Sequence, residues 1–347
     1  MNIQDLIRPT IKALKPYSSA RDEFQGNSDA MVFLDANENP YENGVNRYPD
    51  PQQRSVKSLL SEIKNVPTKN MLLGNGSDEV LDLIFRAFCE PNEDNIITLP
   101  PTYGMYSVLA NINAVAIKEV QLDAEFQPKV DAILNAADAH SKLLFICSPN
   151  NPTGNSFASE AISNLLKSFK GIVVIDEAYI DFSNEESWAS RLLEFPNLIV
   201  TQTLSKAYGL AGIRLGLCFA SEEIISVLNR IKPPYNVNEL TQLKAIEQLQ
   251  NKALTDKQVS VILEERDLLV ASLKTVDYVS EIYPSDANFV LAKVDDATKR
   301  YNQLIEKGIV IRNRTTQPGC ENTLRFTVGT PEENKKLIEE LKSLSTL

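Results

Sequence analysis

Histidine is nearly absent: the 347 residues contain one, His140. A Ser-His-Asp or Cys-His nucleophile and a His-ligated metal site are thereby excluded unless they are built on that residue. His140 lies in Asp138-Ala139-His140-Ser141-Lys142, just ahead of an apolar segment, and reads as a solvated loop residue. Any acid–base chemistry then falls to Lys, Tyr or a carboxylate, and no metal centre is expected. Cysteine is scarce as well. Cys89, Cys147, Cys218 and Cys320 are far apart and three of them sit in apolar surroundings, the pattern of reduced core thiols in a cytoplasmic protein rather than of a disulfide scaffold. Long hydrophobic runs are missing. The longest, such as Leu143-Leu144-Phe145-Ile146-Cys147, fall far short of the ~18 residues a membrane span needs. The start, Met1-Asn2-Ile3-Gln4-Asp5, lacks the charged-then-apolar layout of a signal peptide, so no membrane association is expected. Positive charge is in deficit: 35 Lys and Arg face 46 Asp and Glu, for a formal charge of −11. That balance argues against nucleic-acid partners, whose phosphates call for a basic surface.

What is present is a long, ordinary globular composition, 43% apolar and 23% charged. The length exceeds what one core usually supports, so two domains, or one large domain with a smaller lobe, are expected. Short Val- and Ile-rich segments at 71–73, 95–99, 114–120, 143–147, 172–176, 198–202 and 215–220 read as strands, several apolar without alternation, as in strands buried on both faces. Helical patterns at 50–65, 78–89, 103–111, 157–168 and 188–193 accompany them. Strand–helix alternation predicts an α/β fold: a large domain with a mostly parallel seven-stranded sheet flanked by helices. After Lys232-Pro233-Pro234 the pattern changes to long helices over 238–274, strands near 288–293, 309–311 and 323–328, and helices near 296–307 and 331–345, a smaller α+β domain.

Four segments fall at the carboxyl ends of expected strands, where α/β sheets bind ligands. Gly74-Asn75-Gly76-Ser77-Asp78-Glu79 is neither a dinucleotide fingerprint nor a Walker loop, but it is a Gly-rich turn feeding a helix N-terminus, suited either to a phosphate or to simple capping. Asn150-Asn151-Pro152-Thr153-Gly154 is either a ligand loop or plain turn chemistry. Asp176-Glu177-Ala178-Tyr179 ends a buried strand, placing a carboxylate at the sheet edge or at a helix N-cap. Thr203-Leu204-Ser205-Lys206 sets one Lys among hydroxyls and small residues, with Arg214 following; a desolvated Lys there would have a lowered pKa and a nucleophilic amine. Together they supply what a phosphate-bearing aldehyde cofactor needs: an amine, an acid for a pyridinium nitrogen, donors for a phenolate oxygen, and a cation with hydroxyls for a phosphate.

At this point the chain resembles the fold-type I pyridoxal-phosphate aminotransferases, and more narrowly the histidinol-phosphate branch. The resemblance runs over nearly the whole length. Its most specific pieces are Leu34-Asp35-Ala36-Asn37-Glu38-Asn39-Pro40, Arg47-Tyr48-Pro49-Asp50-Pro51, Ser148-Pro149-Asn150-Asn151-Pro152-Thr153-Gly154, Asp176-Glu177-Ala178-Tyr179, Ser205-Lys206-Ala207-Tyr208-Gly209-Leu210-Ala211-Gly212 and Leu324-Arg325-Phe326-Thr327-Val328-Gly329-Thr330. The resemblance implies that pyridoxal 5′-phosphate is carried on Lys206 as a Schiff base. Asp176 would pair with the ring nitrogen, and Tyr179 and Asn151 would donate to the ring oxygen. Tyr103 would stack on the ring. Ser77, Asp78, Thr203, Ser205 and Arg214 would hold the phosphate, with Thr203 standing where many relatives have Ser. Arg325 would grip the carboxylate of glutamate, Arg312 would add a cation for histidinol phosphate, and Asn151 and Tyr17 would complete the substrate site. Tyr48 would reach the phosphate of a neighbouring subunit, which makes the expected assembly a homodimer with shared active sites. The implied reaction is transamination of histidinol phosphate with 2-oxoglutarate. Aromatic aminotransferases and threonine-phosphate decarboxylases share the scaffold and the lysine, so those alternatives stay open, as does a non-catalytic cofactor-binding regulator. The expected domains are 35–235, and 1–34 with 236–347.

Overall fold

Runs of β-branched residues too short for a helix, such as Ile172-Val173-Val174-Ile175, form the centre of a seven-stranded sheet in the computed structural model, which describes residues 2–15 and 31–344. The strands are β1 (Met71–Asn75), β2 (Asn95–Thr98), β3 (Ala116–Glu119), β4 (Ser141–Cys147), β5 (Ile172–Asp176), β6 (Leu198–Thr203) and β7 (Leu215–Ala220). Their spatial order is β1-β7-β6-β5-β4-β2-β3. β7 runs antiparallel to both β1 and β6, and the other pairings are parallel. All seven expected strands are therefore present. Only the edge strand β3 is open to solvent, which accounts for its weaker apolar pattern.

Side-chain alternation sorts the sheet into two cores. Leu144, Ile146, Val173, Ile175 and Val200 point to one face, and Leu143, Phe145, Ile172, Val174 and Ile199 to the other. Helices Arg54–Lys64, Ser159–Ser168 and Glu239–Gln250 cover the first face; Ser77–Phe88, Met105–Ile112 and Glu222–Ile231 cover the second. The helices Val130–Ala136 and Glu222–Ile231 have no counterpart among the expected elements, and the expected helix at 188–193 is a 3₁₀ turn, Trp188–Arg191.

The second sheet has order β10-β11-β9-β8, with β8 (Val279–Ile282), β9 (Phe289–Val294), β10 (Arg312–Asn313) and β11 (Thr323–Thr327). β8 was not anticipated, and the strand expected at 309–311 begins instead at Arg312. On β9, Phe289 and Leu291 face the large core while Val290, Ala292 and Val294 face the lobe's own core. The closing helix Pro331–Ser343 starts with a capping box, Thr330 with Glu333, and Pro331 in its first turn.

Two groupings differ from expectation. Residues ahead of 35 were assigned to the small lobe, yet Ile3 and Ile7 are buried against the large sheet's second face, and the Arg8 amide donates to the Ala87 carbonyl at 3.0 Å. The apolar Ile3/Ile7 pair signals burial without saying which core receives it. Helix Glu239–Gln250, placed with the C-terminal part, buries Ala245 and Leu249 in the large core. The single His is exposed, with Nδ1 3.6 Å from Asp94, and all four cysteines are buried and free. No helix among the described residues is long and apolar enough to cross a membrane.

Candidate active site

The cleft forms where β1, β4, β5 and β6 end and β7 begins. Antiparallel β7 brings Arg214, just before its first residue, to the same edge as the ends of the parallel strands. The close approach there needs glycine twice. Gly76 has φ +80°, and a Cβ on it would lie 2.6 Å from Arg214 Nη2; a Cβ on Gly216 would lie 2.2 Å from the Ser77 amide nitrogen. Gly76 N donates to Arg214 O at 2.9 Å, and Arg214 is itself left-handed at φ 56°. Helix Ser77–Phe88 begins at this point with no side chain capping it, so its first amides face the cleft unused. Thr203 Oγ1 donates to Ser205 Oγ at 3.0 Å beside it. Amides, hydroxyls and a guanidinium thus form a cup suited to a phosphate.

The same cleft holds a buried acid. Asp176, the last residue of β5, is 3% exposed. Tyr106 Oη donates to its Oδ2 at 2.8 Å and the Ala178 amide to its Oδ1 at 3.2 Å. Burial raises the Asp176 pKa despite these bonds. Among the described residues no cation pairs with it. Tyr103 forms one wall, its ring edge-on to Tyr106 with centroids 5.5 Å apart, and its hydroxyl donates to Asp78 Oδ1 at 3.2 Å. Asp78 Oδ2 in turn lies 3.3 Å from Arg214 Nη2, so the Asp78 carboxylate anchors both the cup and the wall.

Lys206 lines the same cleft, its Nζ 5.8 Å from the centre of the Tyr179 ring. Its side chain opens to solvent, yet desolvation holds the amine below the ordinary lysine value, with Arg325 and Arg214 acting in the same direction and Asp176 opposing. Tyr179 is buried, edge-on to Phe289, and accepts from Asn151 Nδ2 at 3.4 Å. Burial pushes its phenol pKa up, while Arg325 and Arg314 pull it down. Arg325 Nη1 hydrogen-bonds Asn151 Oδ1, carrying the small lobe to the rim.

The structure therefore gathers Ser77, Asp78, Tyr103, Asn151, Asp176, Tyr179, Thr203, Ser205, Lys206 and Arg214 around one cleft, with Arg325 joined through Asn151. Arg312 is exposed on β10. Tyr48 lines a separate groove, stacked on Tyr235 with centroids 4.4 Å apart, and is 51% exposed. Tyr17 lies outside the described residues. Two contributors went unnoticed in sequence. Tyr106 stands three residues after Tyr103, one helical turn on, but nothing local links it to a carboxylate 70 residues away. Arg314 is set apart from Arg312 only by burial.

The family model of class I and II aminotransferases matches residues 26–341. The chain belongs to that family. Among relatives, it is 65% identical to the histidinol-phosphate aminotransferase of Flavobacterium johnsoniae over 345 residues, 99% of each chain. Among solved structures it resembles in fold the histidinol-phosphate aminotransferase of Clostridium acetobutylicum, with TM-score 0.79 and 24% identity over 87% of this chain and 91% of that one. The Sinorhizobium meliloti enzyme of the same name, solved with pyridoxal-5′-phosphate, gives TM-score 0.78 at 20% identity over 86% and 83%.

Behind the aminotransferase cleft, Glu177 is buried and accepts from Ser187 Oγ at 2.5 Å, the Trp188 amide at 2.7 Å and Gln202 Nε2 at 2.8 Å. Burial, outweighing these bonds, raises its pKa from 4.5 to about 7. A raised carboxyl pKa contributes stability that is full below 4.5 and lost as pH rises through about 7. The stability of wild type relative to Glu177→Gln should accordingly fall as pH rises from 4.5 to about 7 and hold constant above it, and thermal scans across that range test this. A difference independent of pH would contradict it.

Proposed function

We propose that the chain is a pyridoxal-phosphate-dependent transaminase that moves the amino group of histidinol phosphate to 2-oxoglutarate, giving imidazole acetol phosphate and glutamate. The observation that carries the cofactor reading is the buried Asp176 carboxylate, with no ion-pair partner among the described residues, in the same cleft as the depressed amine of Lys206. An uncompensated buried carboxylate is costly unless a cation arrives to meet it. The residues fit the cofactor, because one cleft is lined by the phosphate cup, by the carboxylate and by a tyrosine wall.

When bound, pyridoxal phosphate supplies an aldehyde that captures amines and a cationic ring that accepts an electron pair. Asp176 would hold a proton on the ring nitrogen. Tyr179 and Asn151 would donate to the ring oxygen, and Tyr103 would cover a ring face. Thr203, Ser205, Arg214 and the first amides of helix Ser77–Phe88 would hold the phosphate. Lys206 would hold the cofactor through Nζ, and its amine is the base available to move the substrate Cα proton. Arg325 would hold the carboxylate of glutamate with its planar fork.

The identity to the Flavobacterium johnsoniae relative over the full length supports the substrate. Turnover with histidinol phosphate, threonine phosphate, phenylalanine and tyrosine, each offered with 2-oxoglutarate, tests it. Histidinol phosphate should give the highest kcat/KM; faster reaction of an aromatic amino acid would overturn the assignment.

The assembly is a homodimer in the cytoplasm. Exposed apolar side chains at Val45, Tyr48 and Leu240, which line one groove, support a second copy there. The chain works as two lobes. The small one is centred on the sheet β8–β11, and the helix Lys252–Leu273 joins them, since Val259 and Ile262 touch the large core while Leu269 and Leu273 sit in the small one.

A further inference from the structure

The turn that feeds the phosphate cup is held from behind by one carboxamide, that of Asn236. It makes every hydrogen bond a carboxamide can make. Its Nδ2 donates to the Leu73 carbonyl at 2.9 Å and to Glu79 Oε2 at 2.8 Å. Its Oδ1 accepts from Lys232 Nζ at 3.1 Å and from Gln53 Nε2 at 3.4 Å. Three separate parts of the chain therefore meet on it: β1 with the helix Ser77–Phe88, the start of the helix Arg54–Lys64, and the turn after the helix Glu222–Ile231. Gln53 and Lys232 are buried, and both also donate to the Pro51 carbonyl, at 2.7 and 3.2 Å, which steadies the Oδ1 side of the amide. Yet Asn236 is not among the residues that line the cleft.

Glu79 is where this hub reaches the cup. Its Oε2 accepts from Asn236 Nδ2 and also from the Asn75 amide. The next amide, that of Gly76, donates to the Arg214 carbonyl at 2.9 Å. With both amides engaged inside the chain the bend at Gly76 is fixed, and the helix starts at Ser77 with no side chain on its first amides. A helix N-terminus holds an anion only as well as those amides are aimed. Glu79 alone is a long side chain with several rotamers; Asn236 grips the same oxygen that takes the Asn75 amide, so the amide of one loop sets the shape of another. A carboxylate at position 236 could not do this, since it would set acceptors against both the Leu73 carbonyl and Glu79. We propose that Asn236 is a positioning residue for the cofactor phosphate, acting through Glu79 on the turn Asn75-Gly76-Ser77. The proposal rests on the cofactor reading above and adds to it a residue outside the cleft.

The test titrates the full-length, cofactor-free chain with pyridoxal phosphate and, separately, with pyridoxal, which lacks the phosphate. The ratio of the two dissociation constants reads the cup alone, because general damage to the fold weakens both ligands together. Asn236→Ala should weaken pyridoxal phosphate about 10- to 100-fold, the scale of one lost charge-assisted hydrogen bond, and leave pyridoxal within about threefold. Inorganic phosphate, titrated by calorimetry, should lose affinity by a similar factor. Asn236→Asp, which keeps the acceptor for Lys232 and Gln53 and loses the donor for Glu79, should behave like Asn236→Ala and serves where the alanine variant does not fold. Glu79→Gln and Glu79→Ala remove the same charge, but only Gln still presents an oxygen to both donors. The ratio should therefore stay within about threefold of wild type in Glu79→Gln and fall about 10-fold further in Glu79→Ala. Adding Asn236→Ala to Glu79→Ala should change little more, since both act through one oxygen. Equal losses for pyridoxal phosphate and pyridoxal, no loss for either, or effects of Asn236 and Glu79 that simply add would overturn the inference and leave the cofactor reading intact. A wild type that holds pyridoxal phosphate no more tightly than pyridoxal would overturn the phosphate cup itself, and this inference with it.

Discussion

Replacing Lys206 by Ala should lower transamination at least about 10⁴-fold, because the variant loses both the amine that holds the cofactor and the base that moves the Cα proton; base removal alone is worth roughly 10²–10⁴. The fold should be indifferent. Lys206 is exposed, forms no ion pair among the described residues, and sits on a loop whose shape is set by backbone bonds of Leu204 and Gly209 and by Thr203 Oγ1, which accepts from the Ser205 amide. Melting temperature should therefore change little while activity disappears, and the cup of Ser77, Ser205 and Arg214 should still bind the cofactor non-covalently. Dialysis of wild type and variant separates the cases: borohydride should fix cofactor to the wild type only. The lowered pKa carries a second expectation. The base acts in its neutral form, so the rate should rise with pH and level off below the pH at which an ordinary lysine amine, near 10.5, would lose its proton. A plateau reached only there would show that burial and the neighbouring arginines do not tune this amine.

Asp176→Asn should give opposite signs for activity and for stability. The amide keeps the shape and can still meet the Tyr106 hydroxyl, but it brings no charge to hold a ring cation. The loss of a preorganised charge from a dry site is expected to lower kcat by about 10²–10³. In the cofactor-free protein, however, the native carboxylate is buried with no counter-ion among the described residues, and its pKa is raised by that burial. The penalty is absent at low pH, where the group is protonated in both states, and is fully present once pH exceeds the raised value. Cofactor-free Asp176→Asn should then melt above cofactor-free wild type near neutral pH, and the gap should close in acid. Saturating pyridoxal phosphate should reverse the order. A variant less stable than wild type in both states would mean that Asp176 is a structural acceptor for Tyr106 and not a waiting counter-ion.

Much of the site was legible because it is assembled from segments with local signatures. A Gly-rich turn before a helix, a carboxylate ending the run Ile172–Ile175, and a Lys among small hydroxyl residues each reflect backbone or solvation demands that act within a few positions. The sheet brings such segments together because parallel strands leave their carboxyl ends on one edge. The same logic fails for partners chosen across the chain. Tyr106 meets Asp176 because helix Met105–Ile112 is laid against β4, where Tyr106 stacks on Phe145 with centroids 4.7 Å apart. Tyr48 turns to Tyr235 and away from the cleft.

From its own periodicities the chain determined seven strands, the helices between most of them, and four chemically marked loops, since covalent geometry imposes a period of two on strands and 3.6 on helices. Packing alone decided the rest. Ile3 and Ile7 are apolar whichever core receives them, and only the space beside helices Ser77–Phe88 and Glu222–Ile231 chose the large lobe. Arg312 and Arg314 are two residues apart and look alike in sequence, yet the first is exposed and the second half-buried. Burial is a property of the assembled molecule, set by which elements pack against each residue.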